Sequence, residues 1–82
     1  MNVLLANTAQ EEMKSPHAPN HQNLLRLISS LERLDLDLLQ SSPNVHRVWE
    51  AAEEIYVLRE GSLRAFFTRK GRDLVVLSIT NG

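Results

Sequence analysis

The sequence predicts one small α+β domain. Three observations lead there. In the first half, leucines recur at three- and four-residue spacing, as on an amphipathic helix. In the second half, three β-branched and aromatic runs are separated by short glycine-containing turns. No repeat, low-complexity stretch or compositional break divides the 82 residues.

The elements follow in order. Residues 2–6 are apolar and bounded by Asn7-Thr8, which predicts a short strand. Thr8 followed by Glu11 fits a capping box, so a short helix is expected over 8–14. Ser15-Pro16-His17-Ala18-Pro19-Asn20 breaks that helix, because proline lacks the N–H that a helical ladder needs. Pro19 suits the first position of a new helix. Leu24, Leu27, Ile28, Leu31, Leu34 and Leu38 then form one apolar stripe. Ser41-Ser42-Pro43-Asn44 closes the long helix. Residues 45–54 are ambiguous between a short helix and an irregular linker. Within them Trp49 is expected to plug the core, since large aromatics dominate packing.

Three strands should follow, at 55–59, 63–68 and 74–80, joined by turns at 60–62 and 70–73. Short turns with glycine between such runs predict an antiparallel meander packed on the long helix. The last run is apolar on both faces until Ser78 and is expected to be the central strand. Leu25, Leu36 and Leu39 do not fit the main stripe. They are candidates for a second apolar strip facing another chain.

Composition narrows the class. The chain is 43% hydrophobic and 23% charged, ordinary for a globular protein and unlike a disordered one. It has no cysteine, hence no disulfide framework and no thiolate metal site. The apolar run at 3–6 is too short for a signal-peptide core or a membrane span, so a soluble, cytoplasmic protein is expected. Formal net charge is −1, which argues against non-specific nucleic-acid binding. Charge is nonetheless uneven: residues 1–44 hold three basic and five acidic side chains, and residues 45–82 hold six and five.

Arginine is the residue type of interest in the second half, because its planar fork holds two oxygens of a phosphate at once. Arg59 and Arg64 sit on predicted strands. Arg69, Lys70 and Arg72 surround a predicted turn, where a solvated basic tip that discourages edge-to-edge pairing competes with an RNA contact. For Arg64 the competing assignment is a surface ion pair with Glu53, Glu54 or Glu60, worth about 0–1 kcal/mol. His17 and His21 lie four apart, but Pro19 interrupts a shared helical face and no third ligand stands at a metal-site spacing. No metal or other cofactor is expected. His46, just ahead of the predicted sheet, is the candidate for proton transfer. Tyr56 and Phe66 are more readily read as packing residues than as base-stacking platforms, with aromatics at only 5%.

Several local features resemble the RelE/ParE superfamily of toxin–antitoxin systems, in particular its HigB-like branch. They are the lead-in Ser42-Pro43-Asn44-Val45, the strand end Tyr56-Val57-Leu58-Arg59, the hairpin Gly61-Ser62-Leu63-Arg64-Ala65-Phe66-Phe67 and the closing Asp73-Leu74-Val75-Val76-Leu77. The resemblance spans nearly the whole chain on degenerate motifs. It implies a toxin that inhibits translation by ribosome-dependent, metal-independent cleavage of mRNA, with a cognate antitoxin as partner. It places Arg64 at the scissile phosphate and Arg59 on the neighbouring strand. The basic segment and C-terminal helix that follow the family's last strand, and supply further catalytic groups, have no counterpart before Asn81-Gly82. A non-catalytic relative that binds an antitoxin or gyrase is therefore the alternative. A small α+β protein that only self-associates is a third.

Overall fold

Residues 2–15 and 19–81 are described by the structure, a computed structural model. Val3–Leu5 forms strand β1, and Asn7–Met13 forms helix α1. The predicted capping box is not used. Ala6 occupies the cap position without a side-chain bond, and the Thr8 hydroxyl donates to the Leu77 carbonyl instead, at 2.6 Å. His17, considered above beside His21, lies outside the described residues. Helix α2 runs His21–Glu32, beginning after Pro19 and not on it, with the Asn20 side chain accepting from the Gln22 N–H at 2.8 Å.

The leucine stripe does not continue as one helix to Leu38. After Arg33 the backbone extends at Asp35, whose carboxylate accepts the Asp37 N–H at 2.9 Å. That local bond opens a separate 3-10 segment, Leu36–Ser41. The break redirects side chains. Leu36 and Leu39 are buried in the core and are not a strip for another chain, whereas Leu38 and Leu25 are exposed.

Asn44 adopts a left-handed conformation (φ 66°) and leads into strand β2, Val45–Arg47. Residues 48–54 are irregular. Trp49 lies among them and is 71% exposed, contrary to its expected place in the core. One ring face is covered by the Arg47 guanidinium, 4.8 Å from the centroid. Strands β3 (Ile55–Glu60), β4 (Leu63–Lys70) and β5 (Asp73–Asn81) follow, each pair joined by a two-residue turn. Gly61 and Gly71 take the first turn position with φ of 59° and 61°, which L-residues rarely adopt and which suits a tight hairpin.

The five strands form one mixed sheet in the order β1-β5-β4-β3-β2. All neighbours are antiparallel except β1 and β5, which are parallel. The central strand is thus β4, not β5, because β1 and β2 extend the sheet by one strand on each side. Among the described residues no helix is long and apolar enough to cross a membrane.

Alternation divides the side chains between two faces. On one face Tyr56, Leu58, Leu63, Ala65, Phe67, Leu74 and Val76 meet Ala9, Leu27, Leu31, Leu36 and Leu39 in a single core. The Tyr56 and Phe67 rings stack across the β3–β4 pair at 5.7 Å. Glu60 lies on this face too and accepts the Ser30 hydroxyl of α2 at 2.8 Å.

Helix α1 also guards an edge. Pairing of β1 with β5 ends at Leu5 and Val76, yet β5 continues for five residues. Along that stretch Thr8 takes up the Leu77 carbonyl, and Glu12 accepts the Ile79 N–H at 3.1 Å and the Ser78 hydroxyl at 3.0 Å. Backbone groups that would otherwise template a foreign strand are thereby occupied. A register shift between Phe66 and Phe67 against β5 accompanies this change of partner.

Candidate functional site

The second face of the sheet carries no helix. Strand register orders its side chains into rows. Leu4, Val75, Thr68 and Ile55 make one row. Ser78, Phe66, Val57 and His46 make the next. Thr80, Arg64 and Arg59 make a third, beside the Gly61 turn. Successive rows are about 6.7 Å apart, two strand residues at about 3.3 Å each. Leu4 is 48% exposed, and Phe66, Val57, Val75 and Ile55 are half-buried.

Arg59 and Arg64 face each other directly across β3 and β4. The Arg59 N–H points away from β4, donating to the Asn44 carbonyl at 3.0 Å. The two arginines therefore form a non-hydrogen-bonded pair, the type in which side chains stand closest. Like charges so placed destabilise a sheet. Neither guanidinium has a hydrogen-bond or ion-pair partner among the described residues. Glu60 is turned to the helices, and Glu53 and Glu54 sit beyond the opposite end of β3, so the surface ion pairs weighed for Arg64 do not form.

Charge is segregated by this arrangement. Among the described strand residues of the open face the acidic one is Asp73, whose carboxylate accepts the Asn2 N–H at 3.0 Å, and the Glu12 carboxylate of α1 reaches this face at the sheet edge, where it accepts the Ser78 hydroxyl at 3.0 Å. His46, Arg59, Arg64 and Lys70 are the titratable partners on that face. Glu32, Asp35 and Asp37 lie in or beside α2 and the 3-10 segment. A net charge near zero hides a basic sheet face.

His46 pairs with Val57 and is exposed, one row from the arginines. Lys70 shares their face by alternation but lies at the other hairpin, and Arg72 is exposed in the Gly71 turn. Arg69 points to the helical side. Its Nη1 donates to the Leu36 carbonyl at 3.0 Å and its Nε to the Gly71 carbonyl at 2.9 Å. It thus braces the 3-10 segment and does not join Lys70 and Arg72 in a basic tip or RNA contact. Arg69 also lines a polar cleft of about 410 Å³ with Asp37, Gln40, Glu54 and Tyr56. Within it Tyr56 donates to Glu54, and its hydroxyl pKa is raised by burial and by that bond. Among the described residues no group of three His, Asp or Glu could hold a metal ion.

Sequence inspection overlooked Thr80, whose register sets it opposite Arg64, and undervalued Phe66, which flanks the arginine pair. Strict alternation along 63–70 would have exposed both Phe66 and Arg64 on one face. Arg47 was also passed over. Its guanidinium lies between Trp49 and Tyr56, with a buried Nε that has no hydrogen-bond partner among the described residues. No protein-family model, curated protein or solved structure matches the chain with significance.

Proposed function

We propose that the open sheet face acts on RNA, and that the chain is a RelE/ParE-type toxin inhibiting translation by cleaving mRNA on the ribosome. The observation that carries this reading is the unpartnered Arg59–Arg64 pair, opposed at closest strand spacing on a face without free carboxylates. A phosphate between two guanidiniums turns their mutual repulsion into two sets of charge-assisted bonds. The same grip strengthens as the phosphate gains charge in a transition state.

The reaction this reading requires is a transphosphorylation. A 2′-hydroxyl oxygen forms a bond to the neighbouring phosphorus while the bond to the 5′ oxygen breaks. The departing 5′ oxygen takes a proton from water. On this reading His46, one row from Arg59, accepts the 2′-hydroxyl proton. Arg59 and Arg64 hold the non-bridging oxygens so that the attacking 2′ oxygen and the leaving 5′ oxygen stand in line at phosphorus.

Leu4, at 48% exposure beside Val75, favours a second reading, in which a partner protein such as a cognate antitoxin or gyrase covers the apolar half of the face without catalysis. Primer extension on a reporter transcript with translating ribosomes separates the two. Cleavage by the chain that Arg64→Ala abolishes is the expected result. An intact transcript with correctly folded protein sinks the nuclease reading and leaves the binding one.

A further inference from the structure

We infer that the open face selects single-stranded RNA by its bases as well as its backbone, with Phe66 as the stacking platform. The inference rests on the RNA reading above and extends it to what is recognised beyond phosphate. Phe66 is the aromatic residue on this face among the described residues. Its neighbours across the strands are the smaller Val57 and Ser78, and it is half-buried. By comparison Phe67, the next residue, is completely buried on the other face. Phe66 is two residues from Arg64 along β4, which sets their backbone positions about 6.7 Å apart on one face. That is the reach between a base and a phosphate of one extended strand. Thr80, exposed opposite Arg64, adds a hydroxyl at the backbone end of the same track.

Charge complementarity commits the face to a polyanion, and Phe66 beside the arginines, with Val57 opposite it, commits it to one with accessible aromatic surfaces. A duplex hides its base faces by stacking and pairing and would present only phosphates. An unpaired strand presents both, and every base has a π face, so recognition by Phe66 tolerates sequence.

The test is fluorescence anisotropy with the full chain and three labelled probes of equal length: oligouridine, an abasic sugar-phosphate strand, and an RNA duplex. The intact chain should bind oligouridine about tenfold more tightly than the abasic strand. Phe66→Leu, which keeps an apolar side chain in the strand, should abolish that difference while leaving abasic binding unchanged. Phe66→Tyr should retain it. Arg59→Gln with Arg64→Gln should weaken all three probes together. Equal binding of all three probes by the intact chain, or a preference that survives Phe66→Leu, overturns the stacking inference and leaves the phosphate grip standing. Absence of binding to any probe overturns both. Circular dichroism melts of each variant establish that it is folded.

Discussion

Phe66 and Phe67 are neighbours in the chain and belong to opposite worlds. Phe67 stacks on Tyr56 within the core and is completely buried. Phe66 stands on the helix-free face, half-buried, one row from two arginines without partners. The same division runs through every strand. On the covered face Glu60 is engaged by Ser30 and Arg69 by the Leu36 and Gly71 carbonyls, while Arg47 lies against Trp49 with a buried Nε that has no hydrogen-bond partner among the described residues. The other leaves Arg59 and Arg64 opposed. A fold optimised only for stability would not place like charges directly across a strand pair. The contrast teaches that stability resides on the covered face, and that the unresolved electrostatic tension of the open face points to a ligand.

The contrast breaks most sharply at the two phenylalanines. Phe67→Ala should cost about 3–5 kcal/mol, as large-to-small changes in packed cores do. In a domain of this size that approaches the whole stability, so urea denaturation should show little folded protein. Phe66→Ala should cost about 1 kcal/mol, reflecting partial burial. Equal shifts of the two urea midpoints would contradict the assignment of faces.

The edge guard is next in size. Glu12→Ala removes the acceptor of both the Ile79 N–H and the Ser78 hydroxyl. A loss of about 1–3 kcal/mol is expected, with faster hydrogen exchange at the Ile79 amide in particular. Unchanged exchange there would mean that α1 does not protect β5.

A smaller effect of opposite sign sharpens the comparison. Arg64→Thr should stabilise the free protein by about 0.2–1 kcal/mol at low salt, because it removes a cross-strand repulsion. The gain should shrink in about 1 M salt, where screening is short-ranged. RNA binding should fall in the same variant. Destabilisation at low salt would indicate that Arg64 serves the fold.

The smallest expected effect lies on the covered face at alkaline pH. Tyr56 has its pKa raised above 10.0, first by burial and then by its bond to Glu54. A raised folded value means that the stability from keeping the phenol neutral is fully present below the unfolded pKa. It is lost as pH rises through the folded one. Thermal melts should therefore fall above about pH 10, and Tyr56→Phe should flatten part of that decline.

Much of the local structure was legible because it depends on nearby residues. Gly61 and Gly71 supply the positive φ that a two-residue hairpin needs, so the turns between β3, β4 and β5 could be located directly. Asn20 and the leucine spacing located α2, and the apolar runs located three strands. Of the candidate site, the residue types and strand positions of Arg59 and Arg64 were legible. Their opposition in register, the addition of His46 through β2 and the diversion of Arg69 to Leu36 were not.

By itself, then, the sequence determined the α+β class, the hairpins and the alternating pattern that separates Phe66 from Phe67. Only tertiary structure decided that β1 joins β5 in parallel, that β4 is central and that Trp49 stays outside the core. It also decided which of the two alternating faces the helices would cover. The physical reason is range. Turn and strand preferences are set by torsions and neighbours a few residues apart, whereas face coverage and edge pairing join groups such as Glu12 and Ile79 that are 67 residues apart.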